Sequence, residues 1–311
     1  MLSSPELVKN MHTDTAIITT ILAEIALALH PIIIKEIPVS LSTQLLARLG
    51  TYGTLSFALA TPEERGETWG SISSAGSSLA LGIMTIVHIL SSYISYALLP
   101  AGSALALFYT HPFMNILAGA LLLGESIPLW IIPLMLVAFL GVILIAKSTR
   151  EEDVAKPAEH IETPFKGITW GVIMALISAF TETLIFLVAK VPRGAHTPWF
   201  SMSRLYPGAL LAFITWILST GRLNELYASV SASSWAKLLS FNILVGFLGY
   251  SLRFFSIPLL PTAIFSILTF IGVVAGYIWG IVFSNEIPKI MSLIGAGCIT
   301  GALTLVQAFK V

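Results

Sequence analysis

Residues 120–128 read ALLLGESIP, and residues 280–288 read GIVFSNEIP. Each stretch closes a long apolar run, sets a carboxylate (Glu125, Glu286) just beyond it and soon reaches a proline. The two glutamates lie 161 positions apart, and the same offset relates LLP at 98–100 to LLP at 259–261. Earlier in the chain the offset is 155–156. It pairs Lys35 with Lys190, and Arg48 in LLARLGTYGTLSFAL with Arg204 in SMSRLYPGALLAFIT. Near the ends of the two copies, Gly141 and Gly301 differ by 160. A drift of a few residues is what loop insertions produce, so the spacing predicts one unit written twice.

The text around these signatures is apolar. Of 311 residues, 56% are hydrophobic and only 10% are charged, with a mean hydropathy of +0.90. Soluble domains carry about 25% charged residues, and a water-soluble fold of this length has no place to hide so much apolar surface. The chain reads as a polytopic membrane protein. A bilayer core of about 30 Å needs about 20 helical residues, and ten runs qualify: 15–34, 41–60, 76–98, 101–123, 128–147, 167–190, 199–219, 237–258, 261–284 and 289–309. Backbone groups in lipid must be satisfied within the segment, so the runs are expected to be helices. The short alternating segments of a membrane barrel are not seen. The first run is longer than a signal-peptide core and holds Glu24 in its middle, so it reads as a span rather than a cleaved leader.

Ten runs in two copies give five per copy. Five is odd, so the second copy enters the membrane from the opposite side. The expected fold is all-α, with ten transmembrane helices as two inverted five-helix repeats, an organisation found in many secondary transporters. The boundaries are 1–147 for the first unit, a charged linker at 148–166, and 167–311 for the second. TPEERGETWG at 61–70 is expected to be a polar loop.

Several function classes are excluded. Lys+Arg and Asp+Glu both number 16, so no basic footprint for nucleic acid exists. One cysteine, Cys298, rules out disulfides within the chain and cysteine metal clusters. No HExxH or P-loop is present, and His30, His88 and His111 lack metal-ligand spacing. No enzyme activity, cofactor or metal is expected. The expected partners are a small-molecule substrate and the lipid bilayer. Monomer and homodimer are both compatible with the sequence.

PAGSALALFYTHPFMNILAGALLLGESIPLWIIPLMLVAFLGVILIAK at 100–147 resembles the C-terminal part of the EamA-like unit of the drug/metabolite transporter superfamily. It has a small-residue helix, a Gly-Glu ending and a glycine in the next helix. Residues 252–306 look like the second copy, with Asn285 in place of the glycine. Arg48 and Arg204 match the single arginine usual in the second and seventh helices of that family. The resemblance implies a secondary transporter for a small organic metabolite, such as an amino acid or an amine, working by alternating access. The organic-phosphate branch usually carries a Lys-Arg pair in its ninth helix, and the ninth run here has no cation. A nucleotide-sugar or organic-phosphate exchanger is therefore a weaker alternative. An intramembrane enzyme and a non-transporting scaffold are others.

Polar groups inside a bilayer are costly, and each is a candidate for function. Thr85, His88, Ser92 and Ser95 recur at helical spacing on one face of the third run. Tyr250 and Arg253 lie in the eighth. His88, Ser92, Tyr96, Tyr109, Tyr250, Arg253 and Phe270 are the expected substrate-binding set, although packing explains any one aromatic equally well. Glu24 and Glu182 are expected to couple protons or bind a substrate ammonium, or else to partner an arginine. Arg48 and Arg204 are expected to be structural latches inside the membrane, because two equivalent sites suit one asymmetric ligand poorly.

Overall fold

A computed structural model of the chain describes residues 5–99, 104, 107–148, 167–191, 197–227, 230–284 and 289–308. Among these no strand occurs. The first part of the chain supplies α1 (Pro5–Leu27), α2 (His30–Glu36), α3 (Leu41–Leu59), α4 (Pro62–Trp69), α5 (Ile72–Leu98), α6 (His111–Leu123) and α7 (Ile131–Ser148). The second supplies α8 (Ile168–Lys190), α9 (Pro198–Ser219), α10 (Asn224–Tyr227), α11 (Ala232–Phe241), a π-helical segment (Asn242–Phe247), α12 (Leu248–Ser256), α13 (Thr262–Leu268), α14 (Ile271–Ser284) and α15 (Ile290–Ala308). Five stretches are long and apolar enough to cross a membrane: 13–32, 72–98, 169–190, 232–256 and 262–283. Shorter apolar helices cover 111–123, 131–144 and 293–305. The chain is an integral, multi-pass membrane protein. The linker at 149–166, Pro100, Asn285 and Glu286 lie outside the described residues.

Local chemistry explains where the helices depart from the apolar runs. The polar stretch at 61–70 is not a loop but contains α4. Thr61 and Glu64 form a reciprocal capping box, and Pro62 sits in the first turn where its missing N–H is harmless. A second capping box, Ser71 with Ser74, starts α5 earlier than apolarity alone indicates. The first run breaks at Ala28–Leu29, because Pro31 cannot donate to the Leu27 carbonyl. His30 Nδ1 lies 3.2 Å from that carbonyl instead. The fourth run, helical at Ala104, Leu107 and Phe108, is interrupted by a turn at Tyr109–Thr110, and α6 follows from His111 with Pro112 in its first turn. The ninth run divides into α13 and α14 at Thr269–Phe270.

The two parts of the chain interdigitate. α5 packs on α8 and α9, α3 on α9, α1 on α12 and α14, α6 on α8 and α13, and α7 on α15. Every one of these contacts joins the first part to the second. In a bilayer the hydrophobic effect does not drive helices together, so close approach and dispersion matter more. The α5–α9 crossing shows this. A Cβ on Gly82 or Gly208 would collide with the facing backbone at Gly208–Ala209 or Ser78. Gly141 approaches the Gly295 carbonyl of α15 in the same way.

Candidate functional site

Five ionisable side chains meet in the interior, each 2–4% exposed: Glu24 from α1, Arg48 from α3, His88 from α5, Glu182 from α8 and Arg253 from α12. Four of them border a cavity of about 50 Å³, room for a few waters. Glu24, Arg48, His88 and Arg253 line it. So do Ser92, Tyr93, Tyr96, Tyr109 and Tyr250, together with the α1–α2 break at Ala28, His30 and Pro31.

Arg253 is the hub. Its Nη1 lies 2.8 Å from Glu182 Oε1 and its Nε 3.2 Å from Glu24 Oε1. Its Nη2 lies 3.3 Å from His111 Nε2. Arginine only donates, so His111 Nε2 accepts and the ring hydrogen sits on Nδ1. That hydrogen points at the Phe108 carbonyl, 2.9 Å away. Glu182 is held again by His88, whose Nε2 is 3.2 Å from Oε2. The other His88 nitrogen lies 3.2 Å from both Ser178 O and Thr181 Oγ1. The two carboxylates are therefore held differently. Glu182 sits behind the cavity wall, bonded to Arg253 through Oε1, while its Oε2 contact with His88 is not aligned as a hydrogen bond. Glu24 faces the cavity, its contact with Arg253 is not aligned as a hydrogen bond, and its second contact is a long one, 3.5 Å, from the Tyr109 hydroxyl.

Arg48 has a different setting. Its guanidinium carbon lies 5.2 Å from the ring centre of Tyr250, 5.4 Å from Tyr52 and 5.8 Å from Tyr93. Among the described residues no carboxylate lies within ion-pair distance, and Arg48 Nε is buried without a hydrogen-bond partner. The π-helical segment carries Gly246 against the Tyr52 ring, and a Cβ at Gly246 would overlap the Tyr52 hydroxyl. Gly272 makes room for the Tyr109 hydroxyl in the same manner. Arg204, the repeat counterpart of Arg48, is only half-buried, stacks on Phe200 at 5.7 Å and faces Glu67.

The expected binding set thus gathers with one displacement. Phe270 is fully buried behind Tyr109, with ring centres 6.1 Å apart, and does not line the cavity. Trp279 lies outside it and donates its indole N–H to the Ile25 carbonyl at 2.9 Å. The sequence reading did not assign His30, His111 or Tyr52 to the site. His30 and His111 each precede a proline at the start of a helix, and that was the available signal.

Two polar clasps tie the parts of the chain together near helix ends. Glu64 accepts from Thr197 N at 2.6 Å and from Thr197 Oγ1 at 2.9 Å. Glu125 accepts from Thr262 N at 2.9 Å and pairs with Lys190 at 3.4 Å. Lys190 also donates to the carbonyls of Ile257 and Leu260. Partial burial pushes the Glu125 carboxyl up, but the Thr262 and Lys190 contacts outweigh it and hold the group below the usual carboxylate range.

Residues 169–307 match the EamA-like transporter family. Two curated relatives are pseudopaline exporters CntI from Pseudomonas aeruginosa strains PAO1 and UCBPP-PA14. They are 26% and 25% identical over 238 residues, which is 75% of this chain and 75% of each relative. A solved crystal structure shares the fold at a TM-score of 0.67, with 15% identity over 96% of this chain and 99% of its own.

Proposed function

With residues 169–307 an EamA-like transporter unit, we propose that the chain is a secondary carrier that moves a small organic metabolite, an amino acid, an amine or a related compound, by alternating access. The observation that carries this reading is the charged interior cavity bounded by α1, α3, α5 and α12. A charged group at the bilayer centre costs about 2.5–3.5 kcal/mol on insertion scales, and packing alone does not call for Glu24, Arg48 and Arg253 around one small space. The exporter relatives favour outward movement.

Further support comes from the helix pairings. α1 with α12 corresponds to α8 with α5, and α1 with α14 to α8 with α6. Matched pairs of this kind suit two inverted copies of one five-helix unit. With ten alternating spans, the Glu64–Thr197 and Glu125–Lys190 clasps fall at one face of the membrane. The cavity, bounded by Pro31, Ile34 and Tyr96, lies toward the other. The conformation then reads as latched on the side of the two clasps.

Glu24 is the coupling residue in this scheme, since it faces the cavity and is the looser of the two carboxylates on Arg253. Reconstituted vesicles test the proposal. Saturable, ATP-independent flux that responds to a proton gradient is expected, with Glu24→Gln abolishing the response to pH. Flux that never saturates, or a Glu24→Gln protein with an unchanged pH profile, overturns the carrier or the coupling assignment respectively.

A further inference from the structure

We infer that Arg48 is an anion anchor, and that it takes the carboxylate of a transported solute whose ammonium faces Glu24. The inference rests on the carrier reading for the origin of the ligand, and it rests on the contrast between the two cavity arginines for its chemistry. Both carboxylates at the site belong to Arg253. Arg48 is left with neutral tyrosines, three ring centres at 5.2–5.8 Å and the hydroxyls of Tyr206 and Tyr250. A desolvated cation is attracted to the negative face of an aromatic ring, but neutral tyrosines leave the N–H donors of the guanidinium without a counter-charge. Nε is buried and unpartnered, and the side chain borders the cavity. A guanidinium without a counter-charge is suited to a carboxylate, which it can hold through two parallel hydrogen bonds.

Charge balance narrows the class. Two arginines and two glutamates make the site formally neutral when empty. A monoanion alone would leave it with excess negative charge in low dielectric, and a dianionic phosphate more so. A zwitterion restores neutrality, its carboxylate on Arg48 and its ammonium toward Glu24, which can leave Arg253 because Glu182 remains there. The geometry thus selects solutes that carry both an acid and an amine over plain amines and over phosphates.

The test uses the purified full chain. Thermal unfolding is followed with a panel of α-amino acids, the methyl ester, decarboxylated amine and deaminated acid of each, and inorganic phosphate. At least one amino acid should stabilise the protein while its ester and its amine do not, and its deaminated acid should bind more weakly. Arg48→Gln should weaken that amino acid by about tenfold or more, and Arg48→Lys by less. The acid–ester comparison on the native chain tests the inference independently of any variant. The inference is overturned by an ester or amine that binds as well as its acid, by phosphate competing equally, by no amino acid binding at all, or by Arg48→Gln binding within about twofold of native. A protein that binds amino acids through Arg48 yet moves none across a vesicle keeps the inference and sinks the carrier reading.

Discussion

Arg48 and Arg253 lie on the walls of one cavity and are almost equally buried, yet they are stabilised in opposite ways. Arg253 has two carboxylates and a histidine nitrogen. Arg48 has the rings and hydroxyls of neutral tyrosines. A fully paired buried charge is hard to remove, because its partners are left behind without water. A charge held only by neutral tyrosines strands no opposite charge when it goes. Burial alone does not rank the two. What each leaves behind does.

Substitution makes this contrast measurable. Arg253→Gln strands Glu24 and Glu182 side by side, and breaking a buried pair in this way costs about 3–5 kcal/mol. The variant should show the largest loss of thermal stability in detergent, and adding Glu182→Gln to it should recover part of that loss. Full stability in Arg253→Gln alone would break the comparison. Gly246→Ala should come next, at about 1–3 kcal/mol, the usual cost of overpacking. The added methyl meets the Tyr52 hydroxyl, so Tyr52→Phe should rescue it in a double-mutant cycle, and an additive pair would remove Tyr52 from that notch. Arg48→Gln should stay within about 1 kcal/mol of native stability, since no carboxylate is orphaned. A loss as large as that of Arg253→Gln would mean that Arg48 has an ionic partner. Glu125→Gln sharpens the same point outside the core. Its pair with Lys190 is partly exposed, and such pairs contribute about 0–1 kcal/mol. Because the folded-state carboxyl titrates below its usual value of 4.5, its contribution is present at neutral pH and is lost as pH falls through that lower value. A melting curve that is flat from neutral pH to mildly acidic pH and falls only below that range is the expected profile.

Much of the site was legible in the chain. Intramembrane Glu24, His88, Glu182 and Arg253 announce themselves by cost, and helical spacing places His88 and Ser92 on one face. The asymmetry of Arg48 and Arg204 was harder to see, since the repeat offset encourages one role for both. Four residues after Arg48 stands Tyr52, whereas four residues after Arg204 stands Gly208. The first supplies a ring for the guanidinium, and the second lets α5 pack close. The role of His111 depends on a partner 142 positions away, and no local spacing encodes such a contact. The clasps were hidden for a similar reason. Glu64 reads as part of a polar loop until its capping box with Thr61 makes it the start of a helix facing Thr197.

The hydrogen bond from the Trp279 indole to the Ile25 carbonyl has an optical consequence. Indole emission shifts with the polarity around the ring and with the loss of an N–H acceptor, and Ile25 is the immediate neighbour of Glu24. Any movement that slides α1 along α14 breaks this contact next to the carboxylate. The chain therefore carries its own chromophore beside Glu24. With the other tryptophans changed to phenylalanine, its emission becomes a clock for movement of α1 against α14, readable in a stopped-flow mixer without an attached dye.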